Sequence, residues 1–457
     1  MNAPAPDRLF DLMLRTSYNK RATLDVPIFE DKSLASASTF QDQAVEVIPL
    51  ISEGTKTALG VAGLVMSRLV SANLRYEPTN DAPFHRSYPS PRGLYPVDIV
   101  FDIASEFNGA TLVYESENHA LMLVRGSLDV LNENDAALRI EVGAALDRIA
   151  PLYGELAPTL CALEAGHALQ VIGQILRSED LAFDTAIAGA PDHGNLASNP
   201  VTLARVHLLD RFVGADTPAE FMPARISKRT ADSTGLERLE HAQSLLSGGS
   251  GLARNITFEP GSVGNDTTSH SHRTAGVFPS GMSGGFVAGD EIESLVRAID
   301  EDIRKDANSN RLTPALTLAW TTATDAAFVL GPGAATPKIF EGGRSALIDA
   351  FGGPFSIDVD TLRLFAFFSS PWRQVATETG SWGYIQSLIH AGQLAQRIGD
   401  RAADAGFFAR PFRGMNEEVL ESGLGLPGQV FYSVLLGKPR AANPAFSVGP
   451  LIEESAA

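Results

Sequence analysis

Two groups of residues could act on a bound molecule, and they lie near opposite ends of the chain. Pro89, Ser90 and Gly93 belong to a proline-rich segment that leads into an apolar, strand-like run. Lys438 and Arg440 follow another apolar run near the C-terminus. Two such cations can neutralise a dianionic phosphate, and arginine can bind two phosphate oxygens at once. A serine hydroxyl and a rigid proline backbone suit the heteroatoms and the flat face of a ring.

Each of these features also has a simpler interpretation. Taken alone, residues 88–96 could be only a turn, since proline and glycine are the usual residues where a chain enters a strand. The glycine-rich residues 248–253 lack the Lys-Ser/Thr of a phosphate-binding loop, so we expect a linker. His270 and His272 could hold a metal, but no cysteine or carboxylate cluster completes a ligand set, and we expect a solvated loop.

Composition limits the class of protein. With 457 residues, 44% of them hydrophobic, the chain is long enough for two ordinary domains or one large core. A net charge of −18 and the lack of a Lys/Arg cluster argue against a nucleic-acid partner. We expect no membrane span, because the apolar runs fall short of roughly 20 residues. The first ten residues lack a signal-peptide pattern, and Cys161 is the single cysteine, so we expect a cytoplasmic protein.

The sequence contains an internal repeat. Residues 163–173 can be laid on residues 389–399, with Ala, Gly, Gln, Ile and Gly coinciding at an offset of 391 − 165 = 226. Residues 208–211 fall on residues 435–438 at an offset of 435 − 208 = 227. Two collinear matches at nearly the same offset indicate duplication of one unit.

We therefore predict two diverged α+β units, residues 1–225 and 226–457. Both units contain a long amphipathic helix whose central Ala-Gly pair would let another helix approach closely, and both contain a buried strand and an early helix. The expected pairs are helices at 163–173 and 389–399, strands at 201–209 and 429–436, and helices at 42–52 and 290–303.

Several short motifs together resemble the FMN-dependent nitroreductase superfamily, in particular its azoline dehydrogenases, which act on thiazole/oxazole peptides. The motifs are Arg15-Thr16-Ser17, the Pro-Ser-x-x-Gly-Leu-Tyr-Pro element at 89–96, the hairpin at 109–121, Tyr153-Gly154, the Glu-Ala-Gly-His helix at 164–167, and the ending at 435–440. The resemblance implies two nitroreductase-like units in one chain, each a mixed, mainly antiparallel sheet packed with helices.

The resemblance also implies an FMN site shared between the two units. One unit would hold the phosphate and ribityl chain, and the other would place its Pro-Ser element against the isoalloxazine ring. In this chain those ligands would be His272, Arg273, Thr274, Lys438 and Arg440 on one side, with Pro89, Ser90 and Gly93 on the other. The reciprocal site, with residues 210–212 and 311–315, matches the family poorly. We therefore expect one FMN per chain and no metal.

The residue that transfers protons remains open at this point. Azoline dehydrogenases are associated with a Lys-Tyr pair, whereas Tyr153 follows a leucine and Tyr384 follows a glycine. Tyr153, Tyr384 and Tyr95 are the candidates. The expected reaction is FMN-dependent desaturation of a ring, such as a thiazoline or oxazoline in a modified peptide or natural-product intermediate, with other biosynthetic enzymes as partners.

Two other functions stay open. One is NAD(P)H-dependent reduction of a nitro group or quinone on the same flavin. The other is a degenerate, non-catalytic pseudo-dimer that binds a peptide or partner protein, for which His272, Gly276 and Asp210 are the departures from the family pattern.

Overall fold

The computed structural model of the chain describes residues 46–49, 55–69, 72–75, 84–91, 94–105, 109–115, 120–188, 201–213, 242, 284–304, 312–321, 324–351, 357–380, 382–438 and 445–448. The strands in these residues are β1 Glu46–Pro49, β2 Ala72–Arg75, β3 Phe84–His85, β4 Val97–Ala104, β5 Gly109–Glu115, β6 Ala120–Gly126, β7 Ala137–Ala144, β8 Phe183–Ile187, β9 Val201–Leu208, β10 Ala315–Thr321, β11 Ala327–Leu330, β12 Lys338–Phe340, β13 Leu364–Ser370, β14 Phe408–Phe412, β15 Gln429–Gly437 and β16 Ala445–Val448. The α-helices are α1 Ala58–Leu69, α2 Leu146–Tyr153, α3 Ala157–Ser178, α4 Gly289–Arg304, α5 Gly343–Phe351, α6 Trp372–Thr379, α7 Trp382–Asp404 and α8 Glu417–Leu424.

Two sheets form the framework, and they repeat one topology. The first has the strand order β1-β6-β5-β4-β7-β9-β8, and the second has the order β12-β11-β10-β13-β15-β14. Neighbouring strands are antiparallel in both sheets. Apart from β1, each strand of the first sheet has a counterpart at the same place in the second. The predicted α+β class with two similar units is confirmed. Their boundary, at residues 225 and 226, lies outside the described residues and stays a prediction.

The units pack through α3 and α7, which approach so closely that backbone meets backbone. A Cβ atom at Gly166 would lie 2.0 Å from the Ile389 carbonyl oxygen, and one at Gly392 would lie 2.0 Å from the Leu163 carbonyl oxygen. Only glycine tolerates this distance. The predicted close approach at the Ala-Gly pairs is therefore confirmed, with each glycine facing the other helix.

Polar contacts beside this crossing join the two units. His167 on α3 lies 3.1 Å from Gln396 Oε1 through Nδ1 and 2.9 Å from the Tyr432 hydroxyl through Nε2. The Gln174 amide donates to Asp400 Oδ2 at 2.8 Å. All three contacts span the interface and give hydrogen-bond partners to the side chains of His167, Gln174 and Gln396.

One predicted helix is wrong. We expected a helix at 42–52, but Glu46–Pro49 is strand β1, which pairs antiparallel with β6 at the edge of the first sheet. Val47 and Ile48 are β-branched and favour an extended backbone, and Pro49 disfavours a helix interior. The corresponding prediction in the second unit is confirmed, since α4 spans Gly289–Arg304.

A small third sheet brings the end of the chain back to the first unit. β16 pairs with β2, and β2 pairs with β3, in the order β16-β2-β3. β3 directly precedes the proline-rich segment. The polypeptide after Lys438 therefore crosses to the unit that carries Pro89 and Ser90. Among the described helices, none has the length and hydropathy needed to cross a bilayer.

Candidate functional site

The proline-rich segment is held in shape by one arginine and two tyrosines. The Arg86 backbone N–H donates to the Tyr95 hydroxyl at 2.6 Å, and the Arg86 guanidinium donates to the Tyr88 hydroxyl at 3.0 Å. The same guanidinium lies 4.5 Å from the centre of the Tyr95 ring, and the two tyrosine rings meet edge to face at 5.7 Å. Tyr95 has a backbone φ of 48°, in a region that residues other than glycine seldom occupy. The cluster thus holds both ends of the segment together.

Ser90 ties this segment to the long helix α3. Its Oγ accepts a hydrogen bond from the Tyr95 backbone N–H at 2.8 Å and lies 2.6 Å from Glu164 Oε2. Pro89 and Ser90 are both half-buried, so part of each remains open to solvent. These two residues therefore form a rigid surface with a carboxyl group directly behind it.

Glu164 is a buried acid beside this segment that the sequence analysis did not include among the candidate site residues. The side chain is 1% exposed, and its Oε1 atom has no hydrogen-bond partner in the described part of the chain. Burial raises the pKa of Glu164 to about 8, although the Ser90 hydrogen bond and the positive charges of Arg86 and Arg148 act in the opposite direction. The carboxyl group is therefore mostly protonated at neutral pH. A signal was present in the sequence, since Glu164 stands among apolar residues on the buried face of the predicted helix.

The three candidate tyrosines lie in different surroundings. Tyr95 is buried beside Ser90, and burial raises its pKa above the usual range. Tyr384 is also buried; its hydroxyl accepts from Arg413 at 3.0 Å, and its ring meets Trp372 edge to face at 4.7 Å. Tyr153 is half-buried at the end of α2. Of the three, the structure links Tyr95 to the Ser90–Glu164 pair through a hydrogen bond.

Lys438 stands where the chain leaves β15. Its ammonium group forms an ion pair with Glu291 on α4 and lies 5.6 Å from the centre of the Phe407 ring. The Lys438 carbonyl oxygen accepts from the Gly285 N–H at 2.6 Å. Both members of the ion pair are partly exposed, at 29% and 40% of their side-chain surfaces, so a bound anion could compete with the carboxylate.

Five of the predicted ligands lie outside the described residues, and their roles stay predictions. They are Gly93, His272, Arg273, Thr274 and Arg440. Arg440 belongs to residues 439–444, which connect Lys438 to β16, and β16 lies in the small sheet next to β3. His270 is also outside. Within the described ranges, no group of three or more His, Cys, Asp or Glu residues could hold a metal ion.

The reciprocal position is built differently. At the repeat offset, 164 + 226 = 390, Glu164 is replaced by His390. This imidazole is buried, and burial lowers its pKa to about 4, so it is neutral at physiological pH. Nearby on the same helix, Ser387 donates to the Leu312 carbonyl oxygen at 2.8 Å, just before β10. The two units therefore place different chemical groups at equivalent positions.

The described residues suit a flat, phosphorylated heterocycle. The half-buried Pro89 and Ser90 offer a rigid edge, the unpartnered Glu164 Oε1 leaves a buried polar atom behind it, and Lys438 supplies a partly exposed cation. Pro89, Ser90 and Lys438 are the members of the donor set expected for FMN that the described part of the chain includes; Glu164 was not among the expected FMN ligands.

The comparisons with known proteins support the fold. No family model and no curated protein matches the chain. A solved structure from Anabaena variabilis, of a protein assigned to the nitroreductases, superposes with a TM-score of 0.61 at 17% identity, covering 95% of this chain and 99% of that one. The chain thus has the fold of that nitroreductase over nearly its whole length. A chain of the E. coli microcin synthetase McbBCD complex with truncated pro-MccB17 bound gives a TM-score of 0.27 at 14% identity over 48% of this chain and 85% of that one, too low to support an argument.

Proposed function

We propose that this protein is an FMN-dependent oxidoreductase that desaturates a ring such as a thiazoline or oxazoline in a modified peptide or natural-product intermediate. The observation that carries the proposal is the Ser90–Glu164 hydrogen bond, because it places a proton-exchanging carboxyl group behind the ring-binding segment of a nitroreductase fold. Removal of hydrogen from a ring needs an acceptor for a hydride and a group that takes a proton.

The proposed site divides its tasks between the two units. Pro89 and Ser90 would lie against the isoalloxazine ring, while Lys438 and Arg440, with Arg273 and Thr274, would hold the phosphate. FMN, when bound, supplies a two-electron acceptor. The Arg86–Tyr88–Tyr95 cluster keeps the ring-binding segment rigid before any ligand arrives, which lowers the entropy cost of binding.

The interface between the units makes this division possible. Because α3 and α7 are in backbone contact, the segment that carries Ser90 and the strand β15, which ends just before Lys438, are held by one core. An azoline ring must first be formed by a cyclising enzyme, so enzymes of that class are the expected partners.

The reverse reaction is the second candidate. Glu164 is mostly protonated at neutral pH, and the protonated form suits delivery of a proton during NAD(P)H-dependent reduction of a nitro group or quinone. The two directions are separable by assay. Oxygen-dependent desaturation of an azoline peptide supports the first, and NADPH consumption with a nitroarene supports the second.

FMN binding is the first test. We expect the purified or FMN-reconstituted protein to show a flavin absorbance spectrum, and we expect Lys438→Gln to weaken FMN binding by about tenfold or more, as loss of a charge-assisted phosphate contact implies. Lys338→Gln is the control, since Lys338 is an exposed lysine on the edge strand β12. A protein that stays colourless and does not bind added FMN would contradict the proposal. Equal affinities of the two variants would exclude Lys438 as a phosphate ligand.

A further inference from the structure

We infer that Ser90 and Glu164 form a proton relay, in which Ser90 Oγ exchanges a proton with the substrate and Glu164 Oε2 holds it inside the protein. The inference rests on the proposed function, because it needs a substrate that lies beside the isoalloxazine ring and reaches Ser90 Oγ at the edge of the ring-binding segment. It assigns a proton-transfer route in a chain that lacks the expected lysine before Tyr153 and Tyr384.

The hydrogen bonds of Ser90 allow the proton to move in either direction. A hydroxyl group has one donor and two acceptor positions. One acceptor position is taken by the Tyr95 N–H at 2.8 Å, and the contact with Glu164 Oε2 is 2.6 Å, as short as hydrogen bonds to a carboxylate usually are. When Glu164 is ionised, Ser90 donates to it and keeps a lone pair for an incoming proton. When Glu164 is protonated, it donates to Ser90, whose own proton then points outward.

The surroundings of Glu164 favour storage of a proton. Its second oxygen, Oε1, is buried without a hydrogen-bond partner in the described residues. The guanidinium of Arg148 donates to Asp98 and to the Tyr95 carbonyl oxygen, and that of Arg86 donates to Tyr88. Six titratable or charged groups among the described residues interact electrostatically with Glu164. Arg86 lies just before the proline-rich segment, Tyr88 and Tyr95 lie in it, Arg148 is on α2, Cys161 is on α3 itself, and Tyr432 is on β15.

The proton transfer balances as follows. During desaturation, the bond between the Ser90 oxygen and its hydrogen breaks as that proton passes to Glu164 Oε2, where a new O–H bond forms. Ser90 Oγ takes the proton released by the substrate, and the electron pair of that broken bond remains in the substrate ring. The accompanying hydride, with its two electrons, would need a two-electron acceptor, which FMN would supply when bound under the proposed function. Release of the Glu164 proton through Ser90 restores the starting state.

The repeat indicates one relay per chain. The position equivalent to Glu164 holds His390 on α7, and the same helix is hydrogen-bonded within the second unit through Ser387, which donates to the Leu312 carbonyl oxygen. A neutral imidazole there cannot store a proton near neutral pH, since its pKa is lowered to about 4 by burial.

The first experiment detects the protonated Glu164 carboxyl group directly by infrared spectroscopy and needs no flavin. The infrared C=O band of a protonated, buried carboxylic acid should be present at pH 7, disappear with a midpoint near pH 8, and be absent from Glu164→Gln. Glu141→Gln is the control, because Glu141 pairs with Arg139 and Arg205 on the sheet β7–β9. A band that persists unchanged in Glu164→Gln would overturn the inference.

The second experiment measures the pH dependence of turnover in FMN-loaded protein. The kcat/KM for azoline desaturation should rise with pH through about 8, since the ionised carboxylate is the acceptor. Glu164→Gln and Ser90→Ala should each lower it about 100-fold and flatten the pH profile, whereas Glu164→Asp should restore part of the rate and the pH dependence. FMN affinity should be unchanged in Glu164→Gln.

The outcomes separate the two proposals. Failure of the unaltered protein to bind FMN would overturn the proposed function, and the relay would lose its role with it. Normal FMN binding, together with a wild-type rate and pH profile in Glu164→Gln, would overturn the relay alone.

Discussion

Replacing Gly166 with alanine tests the contact that holds the two units together. The added Cβ atom would lie 2.0 Å from the Ile389 carbonyl oxygen, 2.9 Å from the Gln393 nitrogen and 2.9 Å from the Gly392 Cα. All three are backbone atoms, so no side-chain rotation can relieve the clash. The helices α3 and α7 must move apart by about 1.4 Å to bring the shortest of these distances, 2.0 Å, to an ordinary contact of 3.4 Å, and core overpacking forces backbone shifts of this kind.

The cost follows from two contributions. Overpacking of a well-packed core costs about 1–3 kcal/mol. Separation of the helices also stretches the contacts of His167 with Gln396 and Tyr432, now 3.1 Å and 2.9 Å, and loss of one such bond costs about 1 kcal/mol. We expect the Gly166→Ala variant to lose about 2–4 kcal/mol of unfolding free energy relative to a matched variant.

The matched variant is Gly399→Ala. Gly399 is buried in α7, but a Cβ atom there would meet only the Ala409 Cβ at an ordinary 3.7 Å. Both substitutions gain the same helix propensity, about 1 kcal/mol, so the difference between them isolates the helix crossing. Urea unfolding followed by circular dichroism measures both. If Gly166→Ala unfolds at the same urea midpoint and with the same slope as Gly399→Ala, the close backbone contact described here is wrong.

Three further predictions concern buried polar groups. Glu164 has a pKa of about 8 against the ordinary 4.5, so its contribution to stability is complete below pH 4.5 and is lost as the pH rises to 8. In urea titrations, the free energy of unfolding of the unaltered protein should therefore fall by about 4 kcal/mol between pH 5 and pH 8 because of this group, and this fall should be absent from Glu164→Gln. Asp302→Asn should cost about 3–5 kcal/mol in the same assay, because it removes the carboxylate that lies 3.1 Å from the buried Arg397 guanidinium. Tyr432→Phe should cost about 1 kcal/mol by removing the hydroxyl that contacts His167; a stability equal to that of the unaltered protein would show that this contact is not formed in solution.

Local patterns in the sequence predicted the elements that build each unit. Strand β9 interleaves apolar residues with Thr202, Arg205 and His207, β15 is a mostly apolar run, and the helices α3 and α7 keep their apolar spacing around an Ala-Gly pair. The helix expected at 42–52 was wrong because β1 forms through pairing with β6, more than 70 residues away, and short segments take their structure from such partners.

The chemistry at the site was harder to predict, because burial is decided by distant parts of the chain. Glu164 is one acid on a helix, and its high pKa arises only when α3 is enclosed by the proline-rich segment, α2 and β15. The pairing of Lys438, which directly follows β15, with Glu291 on α4 joins residues that are 147 positions apart. Both features depend on tertiary packing: the apolar neighbours of Glu164 indicate that it is buried, but they do not show which groups surround it.

A duplication within one chain, as the sequence repeat predicts, would explain why the two equivalent positions became chemically different. In a symmetric homodimer, a change at the Glu164 position would alter both sites at once, because each subunit carries the same residue. In this chain the same position holds a carboxyl group in one unit and His390 in the other. Burial favours the uncharged form of each group: it raises the pKa of Glu164 to about 8 and lowers the pKa of His390 to about 4. Of these two groups, the acid is the one that titrates close to physiological pH, so the relay is proposed at the position beside Ser90 and not at His390.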